Sequence, residues 1–580
     1  MRYLRMLTNS MLAGVLAAMY LTVLVLQLNP HVPVVSPTAW RWFLVLLAMY
    51  GPYLTAALLL LILAREALAS RPLQPGWLSL RILAWLSAAS AIAASAITWA
   101  NLQGMRSALN EAAADRMRQG ATALSICAGL LLTVAVLRYS FGRRGNRPAA
   151  VVMIVSVSAS LAVPLWIRGP GELPLPAARR PNQAPAVSQP PRVRLLVVDG
   201  GSRDFILQRV ASGQLPNFGA LVDRGGVIDL ATLRPTQAES VWTAAATGKY
   251  PPQNGIRSDH VYRVAGDMGE PVNVLPDYCF SQALLYQGFV RAEALTASSL
   301  RARTMWEILD DYQVTSGVVN WPLTRGARLT RGYLVSDYFD DAMRSPARGI
   351  DASSGDPTTS IDAARQAFDY WLAAPADQLL PAPAPPDTAL ASLQRIRWDR
   401  AFSDASGALA ELFAPRLSAL RLEAVDVLGH AHLRDAQPDL FGEIARRDPR
   451  RSVLDSYYAV LDQEVGRQMA ATGSGDLLLV VSGFGMERTS LLKRLLARTL
   501  GEADPTGSHE AAPDGFLMAF GTHVAPGEFR RGAIVDLAPT VLYYMGVPIG
   551  RDMDGFARTD LFRAPYTREH AVTYTLTHER

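Results

Sequence analysis

The sequence predicts an α/β protein in which a central, mostly parallel sheet is flanked by helices and preceded by a five-helix transmembrane anchor. Three observations lead there. Charged residues make up only 18% of the 580-residue chain, against about 25% in ordinary soluble domains, and the deficit lies before Arg168. That region holds five long apolar runs separated by arginine-bearing loops. Beyond Arg192 the composition is ordinary, and short all-apolar runs alternate with helix-patterned ones.

The spans of the 1–167 transmembrane region are read as 11–28, 42–64, 82–100, 121–137 and 149–167. Each is close to the roughly 20 residues a helix needs to cross a hydrocarbon core. A cleaved signal peptide accounts for the first span at most. Arginines near span ends mark the cytoplasmic side. Arg2 and Arg5 precede the first span, Arg65, Arg71 and Arg81 follow the second, and Arg138, Arg143, Arg144 and Arg147 follow the fourth. On the opposite side Arg106, Arg116 and Arg118 are offset by Glu111 and Asp115. The expected arrangement is a multi-pass protein with a cytoplasmic N-terminus and everything after Ile167 extracytoplasmic. Of 56 basic residues only Lys249 and Lys493 are lysine. Such arginine-heavy coding suggests a bacterial inner membrane and a periplasmic domain, with membrane lipids as partners of the anchor. No span centre carries an acidic, lysine or histidine side chain, which argues against a transporter. No basic run interleaved with aromatics is present, which argues against nucleic acid.

Residues 168–191 contain seven prolines in 24 positions, a density that favours an extended linker without a core. Cys127 lies in a span and Cys279 in the domain, so no disulfide framework is expected. The 192–580 domain opens on an unbroken leucine and valine run, 195–198, followed by Asp199-Gly200-Gly201. An all-apolar strand belongs at the centre of a parallel sheet, and its carboxylate then stands at the carboxyl edge, where such sheets bind ligands. A helix pattern follows at 218–223, further strands at 417–425 and 477–481, and a helix at 453–469. The stretch 344–415 reads as an insert with helical segments at 361–372 and 388–405.

Six motifs occur in order: the first strand with its Asp-Gly-Gly, WTAAATGKYPPQNGI (242–256), VVNWPLT (318–324), DVLGH (426–430), PDGFLMAFG (513–521) and VDLAPTVLYYMGVPIGRDMDG (535–555). Together, over 192–565, they resemble the type I phosphodiesterase/nucleotide pyrophosphatase branch of the alkaline phosphatase superfamily. The resemblance implies two zinc-type cations clamping an in-line phosphoryl displacement, and a Thr or Ser nucleophile at a helix N-terminus. One cation is held by an Asp, a His four residues later and a distant His. Asp426, His430 and His509 match these positions, and two imidazoles with one carboxylate suit zinc or a similar divalent ion. The other is held by the Asp ending the first strand, which Asp199 matches, and by an Asp-His pair.

That pair is missing. Gly483 and Phe484 stand in its place, Ala238 stands at the nucleophile position, and Asn254 replaces a histidine usual before Gly-Ile. Thr236, Ser240 and Thr243 are the nearby hydroxyls that could substitute as nucleophile, with Ser240 and Thr236 the candidates, and Glu239 is adjacent. Glu487, His260 or His432 could replace a ligand. The expectation is a pseudoenzyme: a membrane-anchored phosphodiesterase-like protein with one divalent cation, zinc by preference, and no second. Its ligand would be a phosphorylated small molecule, lipid or glycan, or a partner protein. The alternative is an active one-cation phosphoric ester hydrolase or phospho-headgroup transferase acting on envelope lipids or glycans.

Overall fold

The five apolar runs form five helices: α1 (Arg2–Leu28), α2 (Pro37–Leu68), α3 (Leu80–Gly104), α4 (Glu111–Val134) and α5 (Arg147–Arg168). All five are long and apolar enough to cross a membrane, as the hydropathy pattern predicts. A π-helical turn, Ala135–Ser140, extends α4. Proline sits inside α2 at Pro52 and inside α5 at Pro164. In an apolar medium such helices satisfy their own backbone groups, so their association rests on packing and a few polar contacts. One such contact pairs the Tyr20 and Ser160 hydroxyls at 2.6 Å between α1 and α5. The computed structural model describes residues 1–68, 75–106, 109, 111–140, 147–169, 171, 186–187, 189–276, 282–344, 350–381, 388–442, 452–491, 494, 505–509 and 512–579. Most of the 168–191 linker, Cys279, Arg71, Arg143 and Arg144 lie outside these residues.

The chain divides into two compact units, one of Met1–Leu173 with His260–Ala294, the other of Pro174–Asp259 with Leu295–Arg580. The stretch 260–294, which falls within the expected 192–580 domain, groups with the first unit. An antiparallel hairpin, His260–Val264 against Val290–Ala294, belongs with the membrane helices, because Val264, Val272, Leu284 and Val290 share one apolar core with Val25, Val32 and Trp42. Nothing in the hairpin's own sequence distinguishes that partner from the domain it interrupts.

The second unit is built on a ten-stranded sheet. Its strands are β1 (Val193–Val198), β2 (Gly226–Ala231), β3 (Ser316–Trp321), β4 (Gly332–Ser336), β5 (Gly355–Asp356), β6 (Leu417–Leu422), β7 (Leu477–Phe484), β8 (Asp514–Gly521), β9 (Gly527–Glu528) and β10 (Gly532–Ala533). The order is β9-β2-β8-β7-β1-β6-β3-β4-β5, with β10 also on β2. At the centre β1 runs parallel to β6, Val193 opposite Leu417, and to β7, Val193 opposite Leu477. Only β8, against β7 and β2, and β5, against β4, run antiparallel.

Alternation within β1 explains the apolar run 195–198. Val193, Leu195 and Val197 enter the core on one face of the sheet, and Leu196 and Val198 the core on the other. Each of these buried side chains contributes about 1.5–3 kcal/mol relative to exposure, and only Arg194, near the start of the strand, is less than fully buried. Helices cover both faces: α6 (Ala238–Thr247), α7 (Thr358–Ala373), α8 (Leu390–Phe413), α9 (Ala424–Ala436) and α10 (Val453–Ala470). The 344–415 insert thus contains both α7 and α8, which pack on each other and on the sheet.

Candidate metal centre

Two loops at the carboxyl edge of the central strands carry the chemistry. After β6 the chain turns at Glu423 into α9, whose first turn is tied down by the Asp399 carboxylate of α8. That carboxylate accepts from the amides of Glu423 at 3.0 Å and Ala424 at 2.8 Å. Asp426 and His430 are one turn apart on α9, the i, i+4 relation expected from their spacing. His509 arrives from the distant segment before β8. The three side chains offer ligand atoms that all lie within 4.8 Å of one another.

Hydrogen bonds set the two rings. His430 Nδ1 contacts the Gly507 carbonyl at 2.8 Å and His509 Nδ1 contacts the Thr236 carbonyl at 2.9 Å. A carbonyl only accepts, so each Nδ1 carries the proton, and in the neutral ring each Nε2 keeps its lone pair. Those Nε2 atoms lie 3.7 Å and 3.9 Å from the Asp426 carboxylate oxygens. Asp426 Oδ1 is buried without a hydrogen-bond partner. A buried carboxylate oxygen left unpaired between two imidazole lone pairs is costly on its own and is satisfied by a cation. The donor set therefore fits one divalent ion.

Asp199, expected as a ligand of a second cation, is not brought into that group. Its Oδ2 accepts from Arg421 Nε at 2.8 Å and from the same guanidinium's Nη2, and its Oδ1 accepts from the Trp242 indole. Arg421 bonds Glu423 as well. Burial acts to lower the Arg421 pKa, but Asp199 and Glu423 outweigh it and the net shift is upward. For Asp199 burial dominates over the Arg421 charge and pushes the carboxyl up to about 6. Burial also acts to raise Glu423, yet Arg421 and Arg395 hold it below the usual carboxylate range.

The other positions are closed sterically. Phe484 is fully buried, its ring 5.0 Å from that of His509. A β-carbon at Gly483 would meet the Val241 side chain of α6 at 2.4 Å, so an aspartate there requires that side chain to shift. Gly200, at φ +69°, lets β1 turn so closely that its own β-carbon would meet Asp426. Of Asp199, Gly483 and Phe484 only Asp199 offers a carboxylate, and both its oxygens are already engaged by Arg421 and Trp242.

Ala238, at the first position of α6, packs against the core. The substitute hydroxyls are turned to the backbone: Ser240 donates to the Ile256 carbonyl at 3.1 Å and Thr236 to that of Leu233 at 2.7 Å. Neither Glu487, His260 nor His432 joins the ligand group; His260 lies in the hairpin, and His432 contacts Ser392 and Asp435. Sequence reasoning missed Arg421 and Trp242. The signal for Arg421 was the single charged residue in the mostly apolar strand LSALRL, since a buried arginine requires a carboxylate. Glu239 was noted without a role. Burial, reinforced by Asp259, pushes its carboxyl up to about 7.

Solved structures that the chain resembles include wild-type alkaline phosphatase PafA, with 11% identity, a TM-score of 0.43, and coverage of 65% of this chain and 100% of that one. Inactive murine ectonucleotide pyrophosphatase/phosphodiesterase 5 in complex with AMP gives 12%, 0.36, 65% and 100%. Phosphonoacetate hydrolase from Sinorhizobium meliloti 1021 with phosphonoformate gives 16%, 0.30, 57% and 66%. No curated protein sequence matches. The sequence model of the type I phosphodiesterase/nucleotide pyrophosphatase family matches residues 193–508, a stretch running from β1 through Asp426 and His430 to the residue before His509. The chain belongs to that family.

Proposed function

We propose that this protein is a membrane-anchored, extracytoplasmic phosphodiesterase-like pseudoenzyme that holds one divalent cation, zinc by preference, and binds a phosphorylated ligand without two-cation hydrolysis. One observation carries the reading: the Arg421 guanidinium and the Trp242 indole occupy both oxygens of Asp199. Asp426, His430 and His509 would hold the cation, which supplies charge for a phosphoryl oxygen of the ligand. Arg421 keeps Asp199 and Glu423 neutralised, and Ala238 removes the nucleophile. The ligand class is a small phosphate ester, a lipid headgroup or a phosphorylated glycan, and AMP, bound by the murine relative, is a suitable first probe.

The orientation is argued from the anchor. Arg5 and Asn9 contact the backbone of 75–77, whereas Arg168 at the end of α5 contacts the carbonyls of Asn29 and Pro30. The N-terminus and the α2–α3 connection therefore share one end of the bundle. The end of α5, which leads to the domain, shares the other, in keeping with a cytoplasmic N-terminus in a bacterial inner membrane.

The test uses the full chain in detergent. Metal content is expected at one ion per chain, with zinc-dependent binding of AMP or inorganic phosphate and no turnover of bis-para-nitrophenyl phosphate or a para-nitrophenyl nucleotide ester. Turnover that His430→Ala abolishes would overturn the pseudoenzyme reading. The second reading, a one-cation hydrolase or headgroup transferase, is favoured by Glu239, a carboxyl near neutrality in the first turn of α6 beside the vacant nucleophile position. It predicts that Glu239→Gln abolishes such turnover while cation binding stays intact.

A further inference from the structure

The hairpin that interrupts the domain is bound to the membrane unit by contacts of three kinds. Asn29, in the turn after α1, uses its whole side-chain amide. Its Nδ2 donates to the Val274 carbonyl at 2.8 Å, and its Oδ1 accepts from the amides of Asn273 at 2.9 Å and Val274 at 3.0 Å. All of these groups are buried, so each lost bond leaves an unsatisfied polar atom. His31 Nε2 donates to the Pro271 carbonyl at 2.8 Å. Arg41 of α2 pairs with Asp267. Burial acts to raise the Asp267 carboxyl, but the Gly269 amide, the Thr38 hydroxyl and Arg41 hold it below its usual range.

Beneath these polar contacts Val272 is fully buried, and Val264, Leu284 and Val290 are nearly so, in the core they share with Val32 and Trp42. The receiving turn is itself fixed, since Arg168 donates to the carbonyls of Asn29 at 3.2 Å and Pro30 at 2.7 Å. An isolated two-stranded hairpin is marginal in water, and the core that Val264, Val272, Leu284 and Val290 enter is completed by Val25, Val32 and Trp42 of the membrane unit.

We propose that the turn joining α1 and α2 is a docking site for the 260–294 hairpin, and that this contact attaches the C-terminal domain to the anchor a second time. The attachment is non-covalent and independent of both the proline-rich connection and the cation centre. Because the hairpin is continuous with the domain at Asp259 and at Leu295, the domain stays on the membrane after the connection is severed.

Cleavage of the full chain tests this directly. A site-specific protease sequence is placed between residues 175 and 186, the protein is cleaved in detergent, and the N-terminal fragment is captured by a tag. The C-terminal fragment is expected to be retained at least ten-fold better by the wild-type chain than by an Asn29→Leu, Val272→Asp variant. Release of the wild-type fragment, or equal retention by the variant, overturns the proposal. A second measurement does not depend on the variant folding. A β-carbon at Gly269 would meet the Thr38 hydroxyl, so Thr38→Cys with Gly269→Cys, in a chain with Cys127 and Cys279 changed to Ser, is expected to crosslink under mild oxidation. Failure to crosslink also overturns the docking.

Discussion

Asp426, His430 and His509 form a centre whose chemistry depends on proton placement as much as on residue type. Two backbone carbonyls accept from the Nδ1 protons, which leaves the Nε2 lone pairs of the neutral rings facing Asp426. Asp426→Ala or His430→Ala should therefore weaken zinc binding by more than the about 10–100-fold typical of losing an outer-shell partner, a difference that competition with a chromophoric chelator will measure. Arg421 poses the opposite problem, a charge that is buried and fully paired. Arg421→Met leaves Asp199 and Glu423 without their cation and should cost about 3–5 kcal/mol, seen as a lower unfolding midpoint. Adding Asp199→Asn should restore part of it. Glu239 predicts a pH dependence. Its folded pKa, about 7, lies above the ordinary value of 4.5, so the folded state holds the proton more tightly and stability falls as pH rises from about 4.5 to 7. Glu239→Gln removes that loss, and its melting temperature relative to the parent should climb across this window and then level off.

Helix α6 and strand β7 together decide the fate of the second cation position. Val241 and Trp242 on α6 fill the space that a side chain at 483 would need, and Trp242 also donates to Asp199. Gly483→Asp should therefore destabilise by about 1–3 kcal/mol, as overpacking does, without raising the metal content; two ions per chain in that variant would contradict the account. The elements themselves were largely legible. The all-apolar run of β1, the helical spacing of Asp426 and His430, and all five spans follow from periodicity and hydropathy, because each is a local property of consecutive residues. The pairing of Arg421 with Asp199 was not legible. Those residues lie on neighbouring parallel strands more than two hundred positions apart, and no local pattern specifies which carboxylate neutralises a buried arginine.

At the scale of the molecule, an anchor and an α/β domain share one chain, and a hairpin from the second half is folded into the first unit. The isolated 192–580 fragment should consequently expose the apolar side of that hairpin and associate in solution. Light scattering is expected to show large species that detergent disperses, whereas monodisperse fragment without detergent would argue that the hairpin docks elsewhere. By itself the sequence determined the five apolar spans, the mostly parallel core and the family. These rest on composition, periodicity and motif spacing, all readable along the chain. Only the tertiary structure decided that Arg421 and Trp242 take up Asp199 and that the hairpin belongs to the membrane unit. Both depend on which buried surfaces meet, and a polar or apolar side chain records that it needs a partner without recording which one.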